Sequence, residues 1–385
     1  MRKAIIAALL ASITVMSIGL GVSFAQGDTP TDPSHILIDA VTGQVLAEER
    51  AHVRRAPASV TKAMTMLIAM ELIEQGNGSL DDMVTVSAKA AGIGGSQIYL
   101  AQGERISLED LMKAVAIASA NDACVAVAEY LAGTEEVFVT LMNKEAERLG
   151  LADTHFTNTN GLPENDHYST AYDLAIITKE LIQRFPAVLE WTSQRYATIR
   201  DGKTTIYNTN KLLGQVDGLT GLKTGHTQNA GYCLSATASR GNEHRIAIVM
   251  GYQTDDARWQ KTRELLEYGF KAFDRFNPAV EGDVVGQVNV KNGASLTVDA
   301  VAAEDLTFLV EITQRDRVST RIIQDEIEAP VAKGTIVGRL AAFVGDKEVN
   351  SVPVYAAEDV PKAAIHVRVW RSIVGFFRGL LDSGE

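Results

Sequence analysis

Cysteine, histidine and basic charge are all scarce in this chain. It has two cysteines, Cys124 and Cys233, in 385 residues, and a disulfide framework needs more of them in a smaller chain. Both read as buried small apolar side chains. The seven histidines show no metal-ligand spacing, and the two that flank a loop, His155 and His167, make no zinc motif. No G-x-G-x-x-G and no complete G-x-x-x-x-G-K-S/T loop occurs, since Gly202-Lys203-Thr204 lacks the glycine five residues upstream, which argues against a nucleotide site. Acidic residues outnumber basic ones, 48 to 36, for a formal net charge of −12, so nothing in the composition supports nucleic-acid binding. There is no internal repeat or low-complexity tract, and no cofactor or metal is expected.

What the chain does have is three short strings in a fixed order: Ser59-Val60-Thr61-Lys62, Ser119-Ala120-Asn121 and Lys223-Thr224-Gly225. Each is weak alone, since a chain of this length shows roughly one or two S-x-x-K strings by chance. Their value lies in the elements they fall on. Pro57 precedes the first, and an apolar helical stripe of Met64, Leu67, Ile68 and Leu72 follows it until Gly76. Ser59 is thereby predicted at a helix start with Lys62 one turn on, within reach of its hydroxyl. Helix-terminal N–H groups favour the negative charge that builds up when such a serine attacks a carbonyl.

The second string is a polar turn between two apolar helices, Leu111 to Ala118 and Ala123 to Leu131. It is either a capping turn or part of a site. The third follows Gly218-Leu219-Thr220-Gly221 and leads into strands at Gly231–Ala238 and Arg245–Tyr252, so it reads as the first strand of an antiparallel hairpin. Gly225 leaves room for a second backbone, such as a peptide pairing along the strand edge. Lys223 and Thr224 offer a cation and a hydroxyl to a peptide carboxylate.

These residue types assemble into serine chemistry. A serine hydroxyl needs a base, and a lysine serves only if burial or a neighbouring cation lowers its pKa. Two lysines converging on one cleft supply that pressure. The expectation is that Lys62 takes the Ser59 proton while Lys223 stays charged and binds substrate. Ser119 then relays a proton to the leaving amine, and Asn121 bonds the substrate backbone.

The chain resembles the D-alanyl-D-alanine carboxypeptidases, the low-molecular-weight penicillin-binding proteins of the bacterial cell wall. The likeness runs through the opening hairpin from Ile36 to Leu46, Ala56-Pro57-Ala58, Phe156 to Pro163 with His167 to Ala171, and above all Gly221 to Tyr232. It implies an α/β (α+β) fold: a serine β-lactamase/transpeptidase-like catalytic domain with an antiparallel sheet and helices. It further implies Ser59 as the acylated nucleophile, an oxyanion hole of the Ser59 and His226 N–H groups, and Arg258 near the substrate carboxylate. The alternative for Arg258 is a solvated arginine at a strand end. The implied reaction is release of the terminal D-alanine from peptidoglycan pentapeptide stems, with β-lactam antibiotics as covalent inhibitors. The register of Gly94-Gly95-Ser96-Gln97 departs from members that carry a serine near Gln97.

Flanking segments suggest an exported protein. Arg2 and Lys3 precede an apolar run from Ala4 to Val22 and small residues at Ser23-Phe24-Ala25, a secretory signal over residues 1–25; an uncleaved anchor is the alternative. Its removal takes away two positive charges and no negative ones, moving the net charge from −12 to −14. The catalytic domain is placed at 26–276. Short β-type segments punctuated by turns such as Asn292-Gly293 and Gly345-Asp346 make a small all-β domain at 277–365, which in the resembling family is a stalk or docking module. Residues 366–385 read as an amphipathic helix with Trp370, Ile373, Val374, Phe377 and Leu381 on one face and Arg368, Arg371 and Arg378 on its flanks. It is too short to span a bilayer and suits attachment to the outer face of the cytoplasmic membrane through residues 367–385; packing on its own β domain is the alternative. Two other functions compete: a serine β-lactamase, which would need a water-activating carboxylate string that is missing between Asn121 and Lys223, and a catalytically silent envelope-binding protein.

Overall fold

The computed structural model describes residues 32–371 and 373. The signal segment and Val374, Phe377, Arg378 and Leu381 of the amphipathic stretch lie outside the described residues. In chain order the first elements are β1 (Ser34–Asp39), β2 (Val45–Glu49), α1 (Lys62–Glu74), β3 (Met83–Thr85), α2 (Ala88–Gly92), β4 (Arg105–Ser107) and α3 (Leu108–Lys113). They continue with α4 (Asn121–Ala132), α5 (Glu135–Arg148), α6 (Ala171–Arg184), α7 (Val188–Thr192), β5 (Tyr196–Ile199), β6 (Thr204–Tyr207), β7 (Leu219–Thr227), β8 (Gly231–Arg240), β9 (Glu243–Tyr252) and α8 (Asp255–Lys271).

An antiparallel sheet in the order β2-β1-β9-β8-β7 carries the catalytic half. Its strands alternate between two apolar layers, as a strand period of two requires when both faces are covered. Ile36 and Ile38 of β1 with Ile246, Ile248 and Met250 of β9 face the core built on α1, α4 and α6. Leu37, Ala247 and Val249 face the opposite layer, with Trp259, Leu265 and Leu266 of α8. Helix α1 is apolar nearly all round and runs through the interior, with Ala63, Met64, Met66 and Leu67 fully buried. Each of the methionine and leucine side chains contributes about 1.5–3 kcal/mol of burial, so the helix that starts at the nucleophile is held from every side. Strand β7 closes one edge of the sheet, and its outer edge borders the cleft.

The second domain comprises β10 (Phe273–Ala279), β11 (Val284–Asn289), β12 (Thr297–Ala302), β13 (Leu306–Glu311), β14 (Val318–Gln324), β15 (Ile336–Val344) and β16 (Lys347–Ala356). One sheet runs β11-β12-β16-β15-β14, a second pairs β10 with β13, and they enclose their own core around Val288, Phe308, Val337 and Val354. The expected boundary at residue 277 needs correction: it falls inside β10, which begins one residue after the last turn of α8. The strand escaped sequence analysis because it ends on Asn277-Pro278 and shows no apolar alternation, and proline demotes a strand reading. Residues 365–371 are helical. Among the described residues no helix is long and apolar enough to cross a membrane.

Candidate active site

A short 3-10 turn, Ala58–Thr61, delivers Ser59 to the start of α1. Ala58, the residue before the nucleophile, takes a left-handed φ of +48°, a conformation that costs a non-glycine residue about 1 kcal/mol and aims the next side chain sharply. Lys62 follows on the same face with its ammonium fully buried. Its three N–H groups have three acceptors: Ser59 Oγ at 2.9 Å, Asn121 Oδ1 at 2.7 Å and the Asn160 carbonyl at 2.7 Å. Burial disfavours the charged form and lowers the Lys62 pKa to about 8.

The second string sits where α3 passes through a π-helical turn, Ala114–Ala118, into Ser119 at φ +61° and then α4. Such turns recur at functional sites because they re-aim the side chains beyond them. Asn121 is engaged within the site on both ends of its amide, with one N–H left over for a substrate backbone. Its oxygen accepts from Lys62, and its Nδ2 donates to the Gly94 carbonyl at 2.7 Å. The residue orients the lysine and ties it to the 94–97 loop. Gly95 is needed there, because a Cβ on it would stand 2.6 Å from Asn121 Nδ2. Ser119 is buried beside this network, but neither lysine donates to its hydroxyl. The expected relay is therefore not formed in this state. Asp122 anchors the same loop by accepting from the Ile98 and Leu100 N–H groups.

Strand β7 places Lys223, Thr224 and Gly225 across the cleft. Lys223 is buried and donates to the Thr224 carbonyl at 3.1 Å. Burial first, then repulsion from Lys62, holds its pKa well below the ordinary lysine value. Lys223 therefore has far fewer partners for its charge than Lys62, the reverse of the expected resting arrangement. Thr224 Oγ1 is 2.5 Å from Thr209 Oγ1, a residue the sequence analysis did not single out. The room at Gly225 is taken by the chain itself: a Cβ would meet Ser59 N at 3.0 Å and the Pro57 carbonyl at 3.1 Å. His226 is exposed and its ring stacks on Tyr232 at 4.1 Å.

Arg258 departs furthest from expectation. It lies in the first turn of α8, not at a strand end, and is buried rather than solvated. Its guanidinium donates to the carbonyls of Gly225 (3.2 Å) and Cys233 (3.0 Å), pairs with Asp255 and packs over the Trp259 ring. Here it braces β7 against β8. Cys124 and Cys233 are free and buried, and burial pushes both thiols up to about 11.

The loop 154–169 supplies what sequence analysis missed. Its contribution is the Asn160 carbonyl, which also lies 3.4 Å from Ser59 Oγ. Asn158 Oδ1 accepts from the Asn160 and Gly161 N–H groups, Glu135 accepts from Thr159, and Thr65 donates to the Thr159 carbonyl. Gly161, at φ +87°, presses so close that a Cβ would lie 1.9 Å from the Ala58 carbonyl oxygen. His167, buried, bonds Thr61 Oγ1 through Nε2 and accepts the Thr157 N–H at Nδ1. That geometry fixes a neutral imidazole, and burial lowers its pKa to about 4.

A half-buried serine at a helix start, bonded to a buried lysine and facing an edge strand with a second buried lysine, defines a serine acyl-transfer enzyme with a lysine base. The chain belongs to the D-alanyl-D-alanine carboxypeptidase family, which matches residues 24–254, while residues 273–362 match the C-terminal domain of penicillin-binding protein 5. It is 38% identical over 335 residues to D-alanyl-D-alanine carboxypeptidase DacF of Bacillus subtilis (strain 168), covering 86% of either chain. The structure of penicillin binding protein 5 from Haemophilus influenzae is similar at a TM-score of 0.78 and 31% identity, covering 86% of this chain and 97% of that one. Penicillin-binding protein D2 from Listeria monocytogenes, in its ampicillin-bound form, is similar at a TM-score of 0.57 and 33% identity, covering 62% of this chain and 96% of that one.

Proposed function

We propose that this chain is a serine-type D-alanyl-D-alanine carboxypeptidase that trims peptidoglycan pentapeptide stems and is acylated by β-lactams at Ser59. The observation that carries the reading is the 2.9 Å contact between Ser59 Oγ and a fully buried Lys62 amine whose pKa is lowered to about 8. In the resting site Lys62 holds its proton, because three acceptors surround it. The substrate changes that balance. Its terminal carboxylate settles beside Lys223 and Thr224 and stabilises the Lys223 ammonium, and like-charge repulsion then weakens the hold of Lys62 on its own proton. Neutral Lys62 takes the Ser59 proton as the oxygen bonds to the carbonyl carbon of the penultimate D-alanine.

The resulting oxyanion faces the N–H groups of Ser59 and His226. Collapse breaks the C–N bond, and the proton passes by way of Ser119 to the leaving nitrogen, releasing D-alanine. Water then attacks the ester, giving up one proton to Lys62 and returning Ser59 to its hydroxyl form. Asn121 and the Asn160 carbonyl position the lysine throughout, and Arg258 acts through the β7 backbone that it braces.

We further propose that residues 1–25 direct export and that residues 367–385 attach the enzyme to the outer face of the cytoplasmic membrane. The exposure of Val369, Trp370 and Ile373 at the start of that segment, with Ile365 just before it, supports the attachment.

The test is release of D-alanine from a synthetic acyl-D-Ala-D-Ala peptide, with labelled penicillin as a second readout. Wild-type protein is expected to release D-alanine and form a long-lived adduct at Ser59, and Ser59→Ala to do neither. Fast turnover of penicillin without D-alanine release would establish a β-lactamase instead. Absence of any adduct would leave a silent binding protein.

A further inference from the structure

The base of the β domain holds a cleft that the catalytic reading leaves unused. The turn between β11 and β12 and the helix at 365–371 enclose a shallow cavity of about 420 Å³ whose walls include Lys291, Arg368 and Arg371. A second hollow, lined by Ile365, Val369 and Ile373, shares Asn292 and Arg368 with it. The helix is fixed over the turn by Arg371, which donates to the carbonyls of Gly293 (2.8 Å) and Ala294 (3.3 Å).

The charges here are unevenly satisfied. Glu326 pairs with Lys291 at 3.3 Å, and Glu328 pairs with Lys362 at 3.7 Å and accepts from Asn292. Among the described residues neither arginine forms an ion pair, although Arg368 is near enough to Glu328 to help hold that carboxyl below its usual value. Arg368 Nε is buried and makes no hydrogen bond among the described residues. A desolvated guanidinium nitrogen without an acceptor is costly unless a ligand supplies one. Around this cationic cleft stand apolar side chains left in solvent: Leu296 at 57% exposure, Ile365 at 72%, Val369 at 54% and Trp370 at 67%.

We propose that the cleft binds the phosphodiester headgroup of an anionic phospholipid, with Arg368 and Lys291 holding the phosphate and the apolar rim entering the acyl boundary. A planar guanidinium fork matches two phosphate oxygens, and basic clefts beside exposed apolar and tryptophan side chains have the chemistry of a lipid interface. This inference rests on the membrane-attachment reading and adds to it a defined headgroup site. The β domain then contacts the bilayer directly, with a lipid clamped between it and the helix, instead of hanging from a tail.

Sedimentation with vesicles tests the site, using residues 26–385. Wild type should bind vesicles containing one-third phosphatidylglycerol more tightly than vesicles of phosphatidylcholine alone. Removing two basic side chains in K291Q/R368Q should weaken that binding about 25-fold, roughly fivefold per charge, with phosphatidylcholine binding and Ser59 acylation unchanged. Arg368→Lys keeps the charge but loses the fork, so it should also lose most of the preference. Wild-type affinity in Arg368→Lys would overturn the site in favour of diffuse attraction, while leaving membrane attachment standing. Failure of wild type to bind either vesicle would instead overturn the attachment itself. A rise in melting temperature with inorganic phosphate, lost in Arg368→Gln, would reassign the cleft to free phosphate and overturn the lipid.

Discussion

The central amine is tuned by what it touches. Burial disfavours the charged form of Lys62, the nearby Asp122 carboxylate favours it, and the amine donates to Ser59, Asn121 and Asn160. The balance leaves a pKa of about 8. Because the neutral amine is the base, acylation should rise as pH increases through that value and level off above it. Asn121→Asp puts a carboxylate where the amide oxygen sits 2.7 Å from the amine, so the charged form gains and the midpoint moves up. A shift of one unit corresponds to about 1.4 kcal/mol and to roughly tenfold slower acylation at pH 7. The rate reaches half its plateau near pH 9 and is recovered about one unit above that. Stopped-flow acylation by a chromogenic β-lactam across pH reads this out, and an unmoved midpoint in Asn121→Asp would remove Asn121 from its place beside the base. The sequence showed which side chains could do chemistry, because serine and lysine carry it in their side chains. It did not show that Asn121 holds the lysine, since an amide announces that it can bond and not to what. The Asn160 carbonyl was invisible for a simpler reason: every residue has one.

Among the elements, the loop 154–169 sets the position of that carbonyl, and one buried histidine pins the loop to the turn that carries the nucleophile. His167 accepts the Thr157 N–H at Nδ1 and so has no lone pair for a proton in the folded state. Its pKa of about 4 lies below the unfolded value of 6.5. Below pH 6.5 the unfolded chain binds a proton that the folded chain refuses, so stability falls as pH drops from about 6.5 to about 4 and is not further affected beneath that. The slope is about 1.4 kcal/mol per pH unit for one proton. His167→Gln should start less stable at pH 7 yet lose less on acidification, with one proton fewer in the slope of denaturation midpoint against pH. An equal slope in both proteins would count against the clamp. Legibility at this scale followed pattern strength. The apolar stripe of α1 and the small-residue strands β8 and β9 stood out, whereas β10 carries Asp274 and Arg275 between its phenylalanines and has no apolar face to reveal it.

For the whole molecule, the question is whether the β domain is a loose appendage or part of one body. Asp39, at the end of strand β1, is fully buried and receives Arg245 at 2.9 Å from its own domain and Arg275 at 2.8 Å from β10. Burial alone would raise the carboxyl, but the bonds from Arg275 and Thr42 outweigh it and hold the pKa below the usual value. Glu243 accepts from both arginines. Beside this clasp the Gln44 amide pairs with the Leu309 backbone in both directions, at 2.8 Å each, as a strand would. Tyr268 of α8 donates to Glu311 of β13. These contacts root the second domain in the catalytic sheet, so the two should melt together. Arg275→Gln leaves Asp39 and Glu243 with half their cationic partners; Asp39 is buried while Arg275 and Glu243 are partly exposed, and the loss of such charged hydrogen bonds costs about 2–3 kcal/mol. Calorimetry of the variant should therefore split one transition into two, with the catalytic domain keeping wild-type acylation at 25 °C because Ser59 and its lysines belong to the other end of the strands. A single transition at the wild-type temperature would show that the apolar contacts alone couple the domains and that the ion clasp is dispensable.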